Sequence, residues 1–408
     1  MALTEHEAVP SVAHARRSPG LVVLKFGGTT VGDTERLKRV ARRCVAASAA
    51  GNRVVAVVSA MGQTTDELLR LAYEVSAHPA PRELDMLASA GERISCALLA
   101  MAIIDLGHGA TSLTGSQAGI VTDSVHTRAK IVEIRAHRIH EALGRGDIVL
   151  VAGFQGVSGE SHDVTRLGRG GSDTTAVALA AALGADACEI FTDVPGVFTA
   201  DPGIVPTARK LTEISHEEML EIAASGAGVL AARSVEVARS HNVTLHVRSS
   251  FEDGDGTRIR EEDRPMLERA LISAVVHMRE EPVFRVSGVE PARLFAALAD
   301  AAVNVDTIVQ TGPEVVFSAP PEDKVDTRRT LDALAADWSA REDLGKVSVI
   351  GAGMKSHPGV AAKTFATLER EGIAPAVVST SPIKIACHLR SDQVERAVQA
   401  LHEAFDLG

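Results

Sequence analysis

Apolar positions along the chain come in short runs separated by helical stretches. Leu21 to Phe26 reads as a buried strand broken by Gly27 and Gly28, and the helix that follows takes Asp33 as its N-cap. A second run, Arg53 to Ser59, turns through Ala60, Met61 and Gly62 into helical sequence that continues to about Leu106, with a break at Pro79 and Pro81. Further strands are expected at Asp147 to Ala152, Ala187 to Thr192 and Val243 to Val247. Short apolar strands alternating with helices predict an α/β layer whose mainly parallel sheet is covered on both faces. That domain is expected to end near Phe251.

After it, Glu252 to Arg264 mixes Asp253, Gly254, Asp255 and Gly256 with further charges and reads as a linker. An internal repeat follows. Leu294 to Leu298 (LFAAL) matches Thr364 to Leu368 (TFATL) at an offset of 70, and Asp323 matches Asp392 at 69. Each copy reads strand, helix, strand, strand, helix, which predicts two small α+β units of one kind. Such a pair behind an α/β core fits ligand sensing or assembly, and equally a structural role.

Composition narrows the choice of function. The 408 residues carry 42 Lys and Arg against 53 Asp and Glu, a net charge of −11, so a surface that grips nucleic acid or an anionic membrane is not expected. Aromatics are 3%, too few for a base-stacking platform. Cys44, Cys96, Cys188 and Cys387 show no metal-ligand or disulfide spacing, and a reducing compartment is the simplest reading. No apolar run approaches the 18 or so residues that span a bilayer. The first residues, up to about position 19, have no continuous apolar stretch and read as a solvated extension.

Four segments can carry chemistry. Lys25-Phe26-Gly27-Gly28-Thr29-Thr30 puts a lysine at a strand end beside two glycines, which suits an anion whose oxygens gain charge, although an ordinary βα turn has the same spacing. Leu167-Gly168-Arg169-Gly170-Gly171-Ser172-Asp173 runs into a small-residue helix that Ser172 or Asp173 can cap, giving exposed N–H groups next to Arg169. Packing alone does not explain so many glycines there. Glu92, in Ser89-Ala90-Gly91-Glu92-Arg93, can bind a ligand ammonium or be a plain helical charge. Thr192-Asp193 through Phe198 to Asp201 and Pro202 form a long turn after a strand, where α/β folds bind ligands, or a simple connection. Gly351 to Ser356 fails both phosphate-loop spacings, and the histidines show no metalloprotease arrangement.

Taken in order, the segments KFGGTT (25–30), VVSAMGQTTDELL (57–69), SAGERIS (89–95), LTGSQAG (113–119), VAGFQGV (151–157), LGRGGSDTTA (167–176) and TDVPGVFTADP (192–202) closely resemble the aspartate kinases of the amino-acid kinase superfamily. The C-terminal repeat resembles that family's paired ACT domains, most visibly at VSVIGAGMKSHPGV (347–360). The resemblance implies a three-layer α/β kinase domain over 20–251, a linker over 252–270, and ferredoxin-like ACT domains over 271–340 and 341–408. It also implies transfer of the ATP γ-phosphoryl group to the side-chain carboxylate of L-aspartate, with Mg²⁺ on the nucleotide, in a cytoplasmic homo-oligomer with a possible amino-acid effector at the ACT units. On the same basis Lys25 and Asp173 are catalytic. Ser59, Thr65, Glu92, Arg169, Gly170, Gly171 and Ser172 meet the amino acid, and Phe26, Gly27, Gly28, Thr192, Asp193, Phe198 and Asp201 join Lys25 at the nucleotide.

The chain departs from the family's pattern at several positions. Gly203 stands where the resemblance leads one to expect Arg, Gly228 where it leads one to expect Lys, and Phe198 in place of Tyr. Two phosphate-side cations are therefore missing, each worth about 1.5 to 3 kcal/mol in a charge-assisted contact. The first ACT-like loop, Ser287 to Ala292, is shortened, and Ala374-Pro375 replaces an Asn-Ile type pair in the second. Lysine and threonine feedback is accordingly expected to be altered or absent. A weakly active or regulatory relative, or a kinase of another amino acid, is the competing expectation.

Overall fold

The computed structural model describes residues 20–261, 271–357 and 359–408. The expected N-terminal extension and the residues 262–270 of the expected linker lie outside them, as does Pro358. The first elements among the described residues are β1 (Leu21–Phe26), α1 (Thr34–Ala49) and β2 (Arg53–Val58), followed by α2 (Thr64–Val75), α3 (Pro81–Ala88) and α4 (Ala90–Asp105). Next come β3 (Ala110–Leu113), β4 (Ile120–Thr122), β5 (Ile131–Ile134), α5 (His137–Gly144), β6 (Ile148–Ala152), β7 (Gln155–Ser158) and β8 (Val164–Arg166). The unit closes with α6 (Gly171–Leu183), β9 (Ala187–Thr192), β10 (Glu213–Ile214), α7 (His216–Ala224), α8 (Ala232–Ser240), β11 (Leu245–Ser249) and β12 (Thr257–Ile259).

Eight strands form one sheet in the order β10-β12-β11-β9-β1-β2-β6-β3, parallel except for β11 against β12. Its central strands are buried on both faces, which is why they read as continuous apolar runs rather than alternating ones. One face packs α6, α7 and α8 against Val23, Val57, Val151 and Ile190, and the other packs α1 and α4 against Leu24, Phe26, Val58 and Phe191. A small sheet, β5-β4-β7-β8, stands over the strand ends. Asp33 caps α1 as expected, its side chain accepting from the Arg36 N–H.

Three boundaries differ from the sequence expectation. The linker region contains β12, a three-residue edge strand whose flanking Asp and Gly residues hide it from a compositional reading. The α3–α4 run, Pro81–Asp105, is long and apolar enough to cross a membrane by length and composition. It lies against the sheet with Asp85 and Glu92 buried inside, as a core helix pair. Finally, Ser172 and Asp173 do not cap α6. Gly170 is the N-cap, at φ 68°, and both polar residues sit inside the first turn.

The C-terminal part continues with β13 (Ala274–Met278), β14 (Val283–Ser287), α9 (Pro291–Asp300), β15 (Ile308–Thr311), β16 (Glu314–Ser318), α10 (Lys324–Ala333), β17 (Asp337–Arg341), β18 (Leu344–Ile350), α11 (Val360–Arg370), β19 (Val377–Ser381), β20 (Lys384–Arg390) and α12 (Val394–Ala404). These make two antiparallel sheets, β15-β16-β14-β17 and β13-β18-β20-β19. The expected repeat is present, but β13, placed in the first unit by position, pairs with β18 of the second. The first unit is thus inserted between the fourth strand of the second and its other three. Sequence order cannot reveal this, because β13 is chosen by the open edge of β18.

Candidate active site

Lys25 is carried at the end of β1 and Asp173 in the first turn of α6, and Lys25 Nζ lies 2.6 Å from Asp173 Oδ1 with both side chains 12% exposed. Around this pair is a cavity of about 210 Å³ lined by Lys25, Gly28, Ser59, Ala60, Gly62, Thr65, Glu92, Phe154, Gly170, Gly171, Ser172 and Asp173. It sits outside the C-terminal ends of the parallel strands, the usual ligand crevice of such sheets.

Two glycines let the walls close. A Cβ on Gly91 would lie 2.7 Å from the Ala60 Cβ, so only glycine lets the start of α4 approach the turn after β2. That approach brings the Ala60 N–H to Glu92 Oε1 at 3.3 Å. At Gly170 the left-handed backbone and a 2.2 Å clash with the Ala231 Cβ both exclude a side chain.

The cavity has two poles. At one, Lys25 and the unpaired N–H groups of the α6 N-terminus favour negative charge. At the other, Glu92 is 3% exposed, and its Oε2 has no hydrogen-bond partner among the described residues. Burial pushes the Glu92 carboxyl up to about 7, opposed by the Ala60 N–H and, more weakly, by Arg166 and Arg93. A bound cation would satisfy this carboxylate.

Of the residues expected at the amino acid, Ser59, Thr65, Glu92, Gly170, Gly171 and Ser172 all line the cavity. Arg169 does not. It is 90% exposed, and its Nη1 lies 3.5 Å from Glu322 Oε1 of the first ACT unit. Gly28 lines the cavity and Gly27 lies against Lys25 Nζ, whereas the Phe26 ring is buried on the other face of the sheet, stacked 5.1 Å from Phe191.

The residues expected at the nucleotide on β9 and the loop after it, Thr192, Asp193, Phe198 and Asp201, lie outside this cavity. Thr192 donates to Asp193 Oδ1 at 3.1 Å at the end of β9. Phe198 forms a single antiparallel bridge with Lys210, and Asp201 Oδ1 accepts the Gly203 N–H at 2.8 Å, closing the turn between them. Two arginines near the missing cations are occupied by carbonyls: Arg233 donates to Leu167 and Ala129, and Arg209 to Leu407. Lys210, against Gly196, makes no ion pair with any described residue.

Sequence reasoning singled out neither Phe154 nor the group behind it. Phe154 holds φ 68°, a strained value for a bulky residue, and lines the cavity with Arg166 5.6 Å above its ring. Arg166 Nε donates to the fully buried Asp85 at 2.6 Å, which also accepts from the Thr127 N–H and pairs with His126. Asp85 and Arg166 are 81 positions apart, and no local pattern joins them.

The model of the amino acid kinase family matches residues 20–249 and that of an ACT domain residues 347–405. An aspartokinase of Mycolicibacterium smegmatis is 52% identical over 407 residues, covering 95% of this chain and 96% of that protein. E. coli aspartokinase III in complex with aspartate and ADP, an R-state structure, superposes with a TM-score of 0.83 at 25% identity, covering 94% of this chain and 99% of that one. The same enzyme with lysine and aspartate, in the T-state, gives 0.73 at 26% identity, over 94% of this chain and 99% of that one. A lysine–aspartate pair in a cavity over a parallel sheet, two ACT-type units behind it, and half the sequence shared with such enzymes over 95% of the chain place it in the amino acid kinase family, among the aspartokinases.

Proposed function

We propose that the chain transfers the γ-phosphoryl group of Mg²⁺-ATP to the side-chain carboxylate of L-aspartate, giving 4-phospho-L-aspartate. The observation that carries this reading is the bipolar cavity, with Lys25 and Asp173 paired at 2.6 Å on one side and the unpartnered Glu92 oxygen on the other. Glu92 takes the substrate ammonium, and Ser59, Thr65 and Ser172 with the backbone of Gly170 and Gly171 orient its carboxylates. Arg169 leaves Glu322 to clamp one of them. Lys25 and the glycines at 27 and 28 stabilise charge on the transferring phosphoryl group, while Asp173 holds Lys25 in position. The attacking carboxylate needs only to be aligned in line with the phosphorus, so no covalent enzyme intermediate is required.

The adenosine and its phosphates run past Thr192, Asp193, Phe198 and Asp201, and Mg²⁺ arrives on the nucleotide as part of the substrate. With Gly203 and Gly228 in place of cations, Lys210 is the remaining free positive charge on that loop. The two ACT-type units form an effector module with altered or absent response to lysine and threonine, and the reaction belongs to a reducing compartment such as the cytoplasm. Assembly into a homo-oligomer is supported by the exposed apolar stripe Ile94, Leu98, Met101 and Ile104 on α4. ADP release dependent on L-aspartate, with hydroxylamine trapping of the acyl phosphate and loss of both in Lys25→Ala, tests the reading. Turnover with another amino acid and none with aspartate would replace the substrate.

A further inference from the structure

On the face of the sheet opposite α6 a second concavity, of about 450 Å³, lies between α1 and the turn that follows β11. Arg36, Arg39, Arg42 and Arg43 line it, with Thr30, Ser250 and Phe251, and Asp253 is its one acidic wall residue. Four guanidinium groups around one cavity stand out in a chain of net charge −11. Two are already engaged: Arg36 with Asp33 and the Thr29 carbonyl, and Arg43 loosely with Asp253 at 3.7 Å. Arg39 and Arg42 have neither a hydrogen bond nor a salt bridge to any described residue. Arg248 lies outside this lining, behind Arg43, and is held by Glu189 at 3.2 Å.

The floor is built for contact as well as charge. Thr30 and Ser250 place their hydroxyls 2.6 Å apart, and Phe251 offers a ring that is 46% exposed under the Arg36 guanidinium at 5.3 Å. Arg43 is half-buried against the Phe191 ring at 4.6 Å; burial and the nearby positive charge of Arg248 push its guanidinium below the ordinary arginine value. Planar forked donors on one side and hydroxyls on the other suit phosphate oxygens.

We propose that this pocket is a second anion site, separate from the catalytic cavity, that takes adjacent phosphate groups, either as free pyrophosphate or as the diphosphate of a nucleotide. Thr30 ends the segment that carries Gly27 and Gly28, so the site abuts the phosphate loop from behind.

Direct binding tests it on the full chain without relying on turnover. Titration calorimetry with pyrophosphate is run on the wild type, on Lys25→Ala, and on Arg39→Ala/Arg42→Ala, two exposed positions. The expected result is saturable binding in the wild type and in Lys25→Ala, weakened about tenfold or more in the double variant. Absence of binding in the wild type, equal binding in the double variant, or binding lost in Lys25→Ala would each overturn the proposal, the last by assigning the anion to the catalytic cavity. Charge reversal at Arg39→Glu, with an unchanged unliganded melting temperature, excludes misfolding as the cause. ADP titrated into Lys25→Ala separates the sources: a component tighter than pyrophosphate that disappears with both Arg39→Ala/Arg42→Ala and Phe251→Ala assigns a nucleotide, and its absence assigns inorganic pyrophosphate.

Discussion

Glu92 is the residue whose chemistry is set most by its surroundings. Its carboxyl ionises at about 7 because burial disfavours the charged form more than the Ala60 N–H favours it. In the unfolded chain it ionises near 4.5, so between these values the folded protein holds a proton the unfolded chain has released. Stability from this group therefore declines as pH rises through that window. The unliganded melting temperature should fall more steeply from pH 5 to 8 in the wild type than in Glu92→Gln. Substrate binding should run the opposite way, because an ammonium pairs with the ionised form: L-aspartate affinity should improve as pH approaches 7 and be flat in Glu92→Gln. At the other pole, Lys25→Met should lower kcat by about a hundredfold to a thousandfold, the usual effect of losing a group that stabilises developing charge. On the nucleotide loop, Gly203→Arg should lower KM for ATP with little change in kcat, which steady-state kinetics at saturating aspartate would resolve.

At the scale of elements, what could be read in advance depended on whether neighbours in sequence were neighbours in space. Ala187 to Thr192 is expected as a strand and is β9, because an apolar run with Cys188, Ile190 and Phe191 buried in a parallel sheet carries its own signal. The glycine segments before α6 and after β1 stand out in the sequence, and six of the seven positions expected at the amino acid line the cavity. Arg169 does not, since an exposed side chain follows whichever partner is near, here Glu322. Phe154 escaped because its role comes from a strained backbone and from Arg166 and Asp85, which are brought to it only by folding. Gly170 shows how narrow the local requirement is. Gly170→Ala would need a left-handed alanine and displace Ala231, so it should destabilise the kinase unit by about 1 to 3 kcal/mol and depress activity beyond that, as denaturant unfolding and kinetics would show.

The whole molecule is joined by a buried ionic junction. Lys346 in β18, 1% exposed, pairs with Glu281 at 2.9 Å and with Asp306 of the first ACT unit. His388 lies 3.3 Å from the same glutamate, and Lys384 reaches Glu221 of α7 at 2.9 Å. One cluster thus ties both ACT units to the kinase unit. Lys346→Met would leave Glu281 buried with only His388 and the Ser318 hydroxyl against it, at a cost of up to about 3 to 5 kcal/mol, and should loosen all three units together in hydrogen exchange.

A different tie reaches, from the rear, the loop proposed to hold the nucleotide. Thr199, between Phe198 and Asp201, donates to the Leu407 carbonyl at 3.1 Å and meets His402 at 2.9 Å, and Arg209 donates to the same carbonyl. Ala200, Ile204 and Val205 are buried in the core of the second ACT unit. The loop that would hold ATP is therefore upholstered by residues some two hundred positions away, and its stiffness is decided by α12 and the residues after it. Disturbing the backbone at Leu407, as Leu407→Pro would, should be felt as a poorer grip on nucleotide, which makes a segment remote in sequence part of the enzymology of this protein.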